Sequence, residues 1–164
     1  TNGKLKISPP DSGKIGVYTQ NNLPLDIIAE FKASCDSTNA INACAFRCNP
    51  SNDNGIDARW DARGPDQSGM GVFLSKPFSG WGTLSYPNPG QAFPSDNITR
   101  KIKIQILGNV ITLWYASSLT ASYSQIHTYN FGSSAQYNTA GRIYINNHLL
   151  IISFVHLIKH SIYL

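Results

Sequence analysis

The sequence predicts an all-β protein, a sandwich of antiparallel sheets, on three observations. Apolar residues recur at alternate positions in short runs, and no stretch long enough for a helix keeps a 3.6-residue period without a Gly or Pro interruption. Turn clusters separate those runs, among them "SPPDSG", "NPSNDNG", "RGPDQSG" and "YPNPG". Only 13% of residues are charged, against a usual ~25%, and Asn, Ser, Thr and Gly fill the polar positions. Many short strands at this spacing argue for a sandwich.

Taken in order, the predicted strands begin with Lys14 to Thr19 and Asp26 to Lys32. Ala40 to Cys48 and Gly55 to Asp61 flank the "NPSNDNG" turn, and Met70 to Leu74 follows. Residues 75–97, "SKPFSGWGTLSYPNPGQAFPSDN", hold four prolines, four aromatics and three glycines with almost no alternation, which predicts a long ordered loop. Arg100 to Leu107 is the clearest strand: Ile102, Ile104 and Ile106 alternate with Lys103 and Gln105. Gly108-Asn109 offers a two-residue turn, and Val110, Thr112 and Trp114 alternate with Ile111, Leu113 and Tyr115 on the return. A break at Ala116-Ser117-Ser118 and a further run from Leu119 to Tyr123 extend the hairpin to a meander. Gly141 to Ile145 and the apolar Leu149 to Leu157 complete the set.

With 164 residues, the chain is one domain's worth, and such a domain buries roughly 70% of the surface its unfolded chain exposes. The expected organisation is a single domain over 1–164 with the loop at 75–97 and an apolar C-terminal segment at 146–164. The formal net charge is +4, and all nine acids lie at or before Asp96, so residues 97–164 carry five basic groups and no acid. Only Arg100, Lys101 and Lys103 cluster, and Lys101 and Lys103 alternate as a solvated strand face does, which argues against a nucleic-acid partner. No signal peptide opens the sequence, and Thr1 suggests a trimmed terminus. The run Leu149 to Ile158, interrupted by Ser153 and His156, falls short of the ~20 residues of a bilayer span, so no membrane insertion is expected.

Cys44 and Cys48 would share a strand face with Phe46, about 13 Å apart at ~3.3 Å per residue, too far for a disulfide. A bond from Cys35 to either stays open beside the reading of buried thiols acting as small hydrophobes. No fourth ligand stands near them for zinc. "NDNG" at 52–55 lacks the acids and terminal Glu of an EF-hand and reads as a turn with Asx hydrogen bonds. His127, His148, His156 and His160 read as polar interruptions, since the last pair lacks the glutamate of the zinc-protease motif. No metal or cofactor is expected. Asn97-Ile98-Thr99 fits the glycosylation sequon.

The order of motifs "LDIIAEFKA", "AFRCNPSNDNGIDARWD", "GMGVFL", "RKIKIQILGNVITLWYASSLTAS" and "GRIYI" resembles the concanavalin A-like lectin/glucanase superfamily, especially its laminin G-like members. The resemblance spans roughly residues 14–155 and implies a jelly-roll β-sandwich of two antiparallel sheets. In that family an Asp-Gly turn often follows the position of Leu113; here Tyr115-Ala116-Ser117-Ser118 stands there, so any ligand contact made by that Asp is lost. The closing strand of the family alternates, whereas "NNHLLIISFVHLIKHSIYL" is apolar almost throughout.

Hydrolases of this family place acids at E-x-D-x-x-E or E-x-D-x-E spacing, since glycoside cleavage needs two carboxyl groups roughly 5 to 9.5 Å apart. The only glutamate is Glu30, four residues from Asp26. Asp57, Arg59 and Asp61 would share a strand face as a charge ladder, which keeps both acids ionised rather than raising one. No catalytic residue is therefore assigned, and the protein is read as a non-enzyme, a glycoside hydrolase being the least favoured class. Two other classes stand. A secreted or cell-surface carbohydrate-binding module, of lectin or adhesin type, would use the aromatics and amide of the long loop, Trp81, Tyr86, Phe78 and Asn88. A virion-surface structural or decoration subunit, as on a bacteriophage capsid or tail, would grip neighbouring subunits or further copies through Leu149, Ile151, Phe154 and Leu157. The second is favoured, with affinity for cell-surface glycans retained; the expected localisation is the virion surface or the extracellular space.

Overall fold

The computed structural model describes residues 5–7, 15–18, 22, 24–34, 41–49, 51, 54–61, 71–76, 80–85, 93–133, 140–147, 150–152 and 155–158. Among them lie thirteen strands: β1 (Leu5–Ile7), β2 (Ile15–Tyr18), β3 (Ile27–Ala33), β4 (Ile41–Asn49), β5 (Asn54–Asp61), β6 (Gly71–Lys76), β7 (Gly80–Ser85), β8 (Arg100–Leu107), β9 (Val110–Ala116), β10 (Ser124–Asn130), β11 (Arg142–Asn147), β12 (Leu150–Ile152) and β13 (Val155–Ile158). No helix occurs among the described residues, hence none long and apolar enough to cross a membrane. The strands form a five-stranded sheet in the order β10-β9-β8-β3-β13, a six-stranded sheet in the order β2-β11-β4-β5-β6-β7, and a small β1-β12 pair. Every pairing is antiparallel, and the two large sheets make the jelly-roll sandwich.

The β8-β9 hairpin forms as its sequence demands. Leu107 pairs with Val110 across Gly108-Asn109, and φ is +55° at Gly108, a conformation that costs glycine nothing. Ile102, Ile104, Ile106, Ile111 and Leu113 all turn into the core, where they meet Ile27, Ala29 and Phe31 of β3. The six-stranded sheet answers with Cys44, Phe46, Ile56, Ala58, Trp60 and Ile143. Phe31 and Trp60 make contact between the sheets, their ring centroids 5.6 Å apart. Phe93 and Phe131, outside the strands, close the cluster, and the Tyr115 ring packs edge-on to Phe93 at 6.0 Å.

The alternation of β4 breaks at Arg47. Its φ is +52°, and the pairing with β5 shifts register between Phe46 and Asn49, the mark of a β-bulge. The extra residue moves every later side chain to the other face. Cys48, expected beside Cys44 and Phe46, packs instead with Ala45 on the opposite side of the sheet, while Cys44 stays in the main core. Gly141 permits the bulge, since a Cβ there would lie 2.7 Å from the Cys48 carbonyl oxygen. Cys35 lies outside the described residues.

The bulge aims a guanidinium across the end of the sandwich. Arg47, 6% exposed, donates from Nη2 to the carbonyls of Leu25 (2.8 Å) and Gly108 (2.7 Å), and lies 5.2 Å from the Phe131 ring centroid. Asp26 Oδ1 in turn accepts the Gly108 N–H at 2.8 Å. One side chain of the six-stranded sheet thus holds the β8-β9 turn and the approach to β3. Burial lowers the Arg47 pKa, and the charge of Asp26 opposes that shift.

Three further departures from the sequence reading have local causes. The stretch 75–97 is not one loop, because Ser75 and Lys76 finish β6 and Gly80–Ser85 forms β7, paired to β6 as the last strand of its sheet. Glycine at 80 and 82 had removed the alternation by which a strand is recognised. Leu119 to Tyr123 is no strand: the Ser118 hydroxyl accepts the Ala121 N–H at 3.1 Å, a local turn that competes with pairing, and the third meander strand is β10. The apolar C-terminal run divides into β12 and β13, which pair with β1 and β3 respectively. Just before the Asx turn expected at 52–55, Asn49 Oδ1 accepts the Ser51 N–H at 2.9 Å; Asn52 and Asp53 lie outside the described residues.

Before β8, Arg100 is buried, donates to both carboxylate oxygens of Asp96 and to the Ile98 carbonyl (2.9 Å), and covers Phe93. The guanidinium first, and then the Ile98 N–H, which donates to Asp96 Oδ1 at 3.1 Å, hold the Asp96 carboxyl at about 2 rather than its ordinary 3.8. A depressed carboxyl pKa stabilises the fold fully above the unfolded value and loses that contribution as pH falls through the folded one. Carboxyl-detected NMR titration is expected to give Asp96 a midpoint of about 2, moving toward 3.8 in Arg100→Gln. An unshifted wild-type midpoint would refute the pairing.

Candidate functional site

The outer face of the six-stranded sheet is read from register. Even-numbered residues of β5, Ile56, Ala58 and Trp60, point to the core, so Gly55, Asp57, Arg59 and Asp61 belong to the other face. One unbroken row of register partners crosses all six strands on that face: Tyr18, Tyr144, Ala45, Asp57, Phe73 and Thr83. A second row runs Gly16, Asn146, Ala43, Arg59 and Gly71. Beside them, Gly55 pairs with Ser75, and Ser75 with Trp81.

Size is distributed unevenly across these rows. Ala43, Ala45 and Gly55 stand on the middle strands β4 and β5, while Tyr18, Tyr144, Phe73 and Trp81 stand on the strands to either side. With strands ~4.8 Å apart, Tyr144 and Phe73 stand about 14 Å from each other across Ala45 and Asp57. In register, small residues on the middle strands thus stand between larger ones on either side. On this face Arg59 is only 5% exposed, so a fixed cation lies in a place of reduced dielectric, where hydrogen bonds to it are strengthened. Gly55 cannot be enlarged, because a Cβ would stand 2.6 Å from Cys48 Sγ.

Of the side chains singled out from sequence, Trp81 lies on β7 in register with Ser75, on this face. Phe78, Tyr86 and Asn88 lie outside the described residues, as do Leu149 and Phe154. Ile151 pairs with Lys6 in the small sheet, and Leu157 is in register with Ala29, on the side of β3 that faces the core. Asp57, Arg59 and Asp61 share a face as their spacing requires. Tyr18, Tyr144 and Asn146 were not singled out from sequence; the alternation of "GRIYIN" shows which residues share a side of β11, but their neighbours come from distant parts of the chain. His127 is partly buried in β10, where desolvation lowers its pKa and favours the neutral ring; His156 pairs with Glu30. Among the described residues no group of three or more His, Cys, Asp or Glu is placed to hold a metal.

No family model and no curated protein matches the chain in sequence. Solved structures do match in shape. The carbohydrate binding module CBM66 from Bacillus subtilis superposes with a TM-score of 0.65 at 9% identity, over 92% of this chain and 84% of that one. A Bacillus licheniformis beta-glucanase gives 0.59 at 10%, over 88% and 71%. The Caenorhabditis elegans galectin LEC-6 gives 0.53 at 12%, over 92% and 93%. At such identities the likeness is one of fold.

Proposed function

We propose that this protein, a concanavalin A-like jelly roll of the lectin/glucanase type, is a non-catalytic glycan-binding module whose ligand lies on the face of the six-stranded sheet turned away from the core. The observation that carries the reading is the continuous row Tyr18, Tyr144, Ala45, Asp57, Phe73 and Thr83, with Arg59 and Asn146 in the next. Aromatic faces suit the C–H surfaces of sugars, and charged or amide groups between them suit hydroxyls. The names of the matched structures, a carbohydrate binding module and a galectin among them, support the same class of ligand. The acids that register puts on this face, Asp57 and Asp61, are four residues apart on one strand, about 13 Å and beyond the separation of a glycosidase pair.

A glycan array followed by calorimetry tests this. Asp57→Asn and Trp81→Ala are each expected to weaken the best glycan about tenfold or more while leaving the melting temperature unchanged. Full affinity in both variants would remove the ligand from this face. Turnover of the bound polysaccharide, measured by reducing ends and abolished by Asp57→Asn, would make the protein an enzyme instead.

A second reading, a decoration subunit on a virion surface or another extracellular assembly, is favoured by the apolar C-terminal run and by β13, which ends its sheet. An edge strand invites pairing with a neighbouring subunit. Association detected by light scattering, and lost on placing a lysine at Ile158, is the result expected if that edge is shared.

A further inference from the structure

We infer that the outer face of the five-stranded sheet is a second binding site, for an acidic oligosaccharide bearing sulfate or carboxylate groups, built on Lys101 and Lys103 and independent of the site proposed on the six-stranded sheet across the sandwich. Lys103 Nζ lies 4.2 Å from the Trp114 ring centroid and 4.8 Å from that of Tyr123, and Lys101 Nζ lies 4.9 Å from Tyr123. Two long, flexible side chains are thereby gathered at the Tyr123 ring, with Trp114 beneath Lys103 as well. A lysine left to itself keeps its rotamer entropy and loses it on binding; here the rings have already fixed both ammonium groups. Each ammonium carries three donors, and a ring face does not consume them all.

The charges of this face are out of balance in a way the fold alone does not require. Lys32 and Lys101 are direct cross-strand partners, an arrangement of like charges that destabilises a sheet. Lys103 is opposite Glu30, the one acid on the β3 and β8 outer positions. That carboxylate also serves the Tyr123 hydroxyl: burial, together with the charge and hydrogen bond of Glu30, pushes the Tyr123 pKa up to about 12, so the phenol stays a neutral donor. Three lysines against one engaged glutamate leave a compact excess of positive charge that an anion relieves.

The neighbouring positions suit a sugar. Gln105, Thr112 and Thr128 are register partners in one row, and Trp114 and Gln125 continue the Lys103 row. Thr128 donates to Thr112 Oγ1 at 3.1 Å, and Gln125 Nε2 donates to Thr128 Oγ1 at 3.3 Å, an exposed chain of hydroxyl and amide groups beside the cations. A nucleic acid would need a longer track of cations along its phosphates, whereas hydroxyl partners next to a short cationic cluster fit an anionic glycan.

The test is NMR titration of the full chain with a heparin-derived hexasaccharide, its desulfated and carboxyl-reduced, hence neutralised, counterpart, a hyaluronan hexasaccharide and a single-stranded oligonucleotide of equal charge. Shifts confined to the outer face of β3, β8, β9 and β10 and to Tyr123, weakened about tenfold or more in Lys101→Gln/Lys103→Gln and unchanged in Asp57→Asn, are expected for at least one acidic glycan. Preference for the heparin fragment assigns sulfate, and equal binding of hyaluronan assigns carboxylate. Trp114→Phe, which keeps a ring beneath Lys103, is expected to retain most of the affinity that the double lysine variant loses. Binding of the desulfated neutralised sugar as tightly as the acidic ones, tighter binding of the oligonucleotide, or no loss in the double lysine variant would each overturn the proposal.

Discussion

Arg47→Ala is expected to lower the unfolding free energy by ~3–5 kcal/mol, because two carbonyl acceptors lose a charged donor at about 1–3 kcal/mol each and packing on Phe131 goes with them. The acceptors are those of Leu25 and Gly108, both tied to the five-stranded sheet. A sharper expectation concerns Arg47→Gly. In an ordinary strand glycine is worse than alanine, but φ is +52° here, a conformation whose cost of about 1 kcal/mol or more glycine does not incur. Glycine is therefore expected to be the milder change by about 1 kcal/mol, in urea unfolding followed by circular dichroism. Alanine equal to or better than glycine would refute the left-handed backbone, and wild-type stability in both would refute the clasp.

Trp60→Ala is the other large effect. Trp60 is 1% exposed and stands between the sheets against Phe31. Removing a buried aromatic of this kind costs ~3–5 kcal/mol, part transfer and part cavity. Trp114→Ala, on the outer face and only partly buried, is expected to cost about 1 kcal/mol or less. Trp60→Phe separates volume from polarity: the indole N–H has no hydrogen-bond partner among the described residues, so the phenyl ring gives up volume but also an unmet donor, and a loss well below that of alanine is expected. Denaturant melts of the three variants check the order, and similar losses at Trp60 and Trp114 would show that the face assignments are wrong.

Strands with intact alternation were legible from sequence, and β8 and β9 are the clearest cases: each isoleucine of "IKIQI" announces its own side of the sheet. The spans of β3, β4, β5, β6 and β11 follow for the same reason. What escaped was whatever breaks the period. Gly80 and Gly82 erase it from β7, and the bulge at Arg47 shifts it by one residue, so the faces of Cys44 and Cys48 could not be told from spacing. The outward face of the six-stranded sheet was the least legible part. Trp81 was chosen as a loop aromatic and lies on a strand of that face, and Asp57 and Arg59 were seen as a ladder without a neighbour. Tyr18 and Tyr144 acquire meaning only through pairing of β2 with β11, which no local pattern encodes.

The same pairing has a consequence for how the polypeptide is made. β4 to β7 and β8 to β10 are meanders of sequence neighbours, able to zip as soon as they emerge, whereas β2 waits for β11, β3 is flanked on one side by β13, and β1 waits for β12. During synthesis the early strands must therefore remain without those partners until residues 142–158 have been translated, with apolar side chains and open strand edges exposed throughout. Closing so distant a pair is slow because the loop entropy is paid before the contact rewards it. For a chain of this topology the ribosome and its attendant chaperones set the yield of native protein as much as final stability does, and a pause in translation shortly before β11 would prolong the interval of greatest exposure to aggregation.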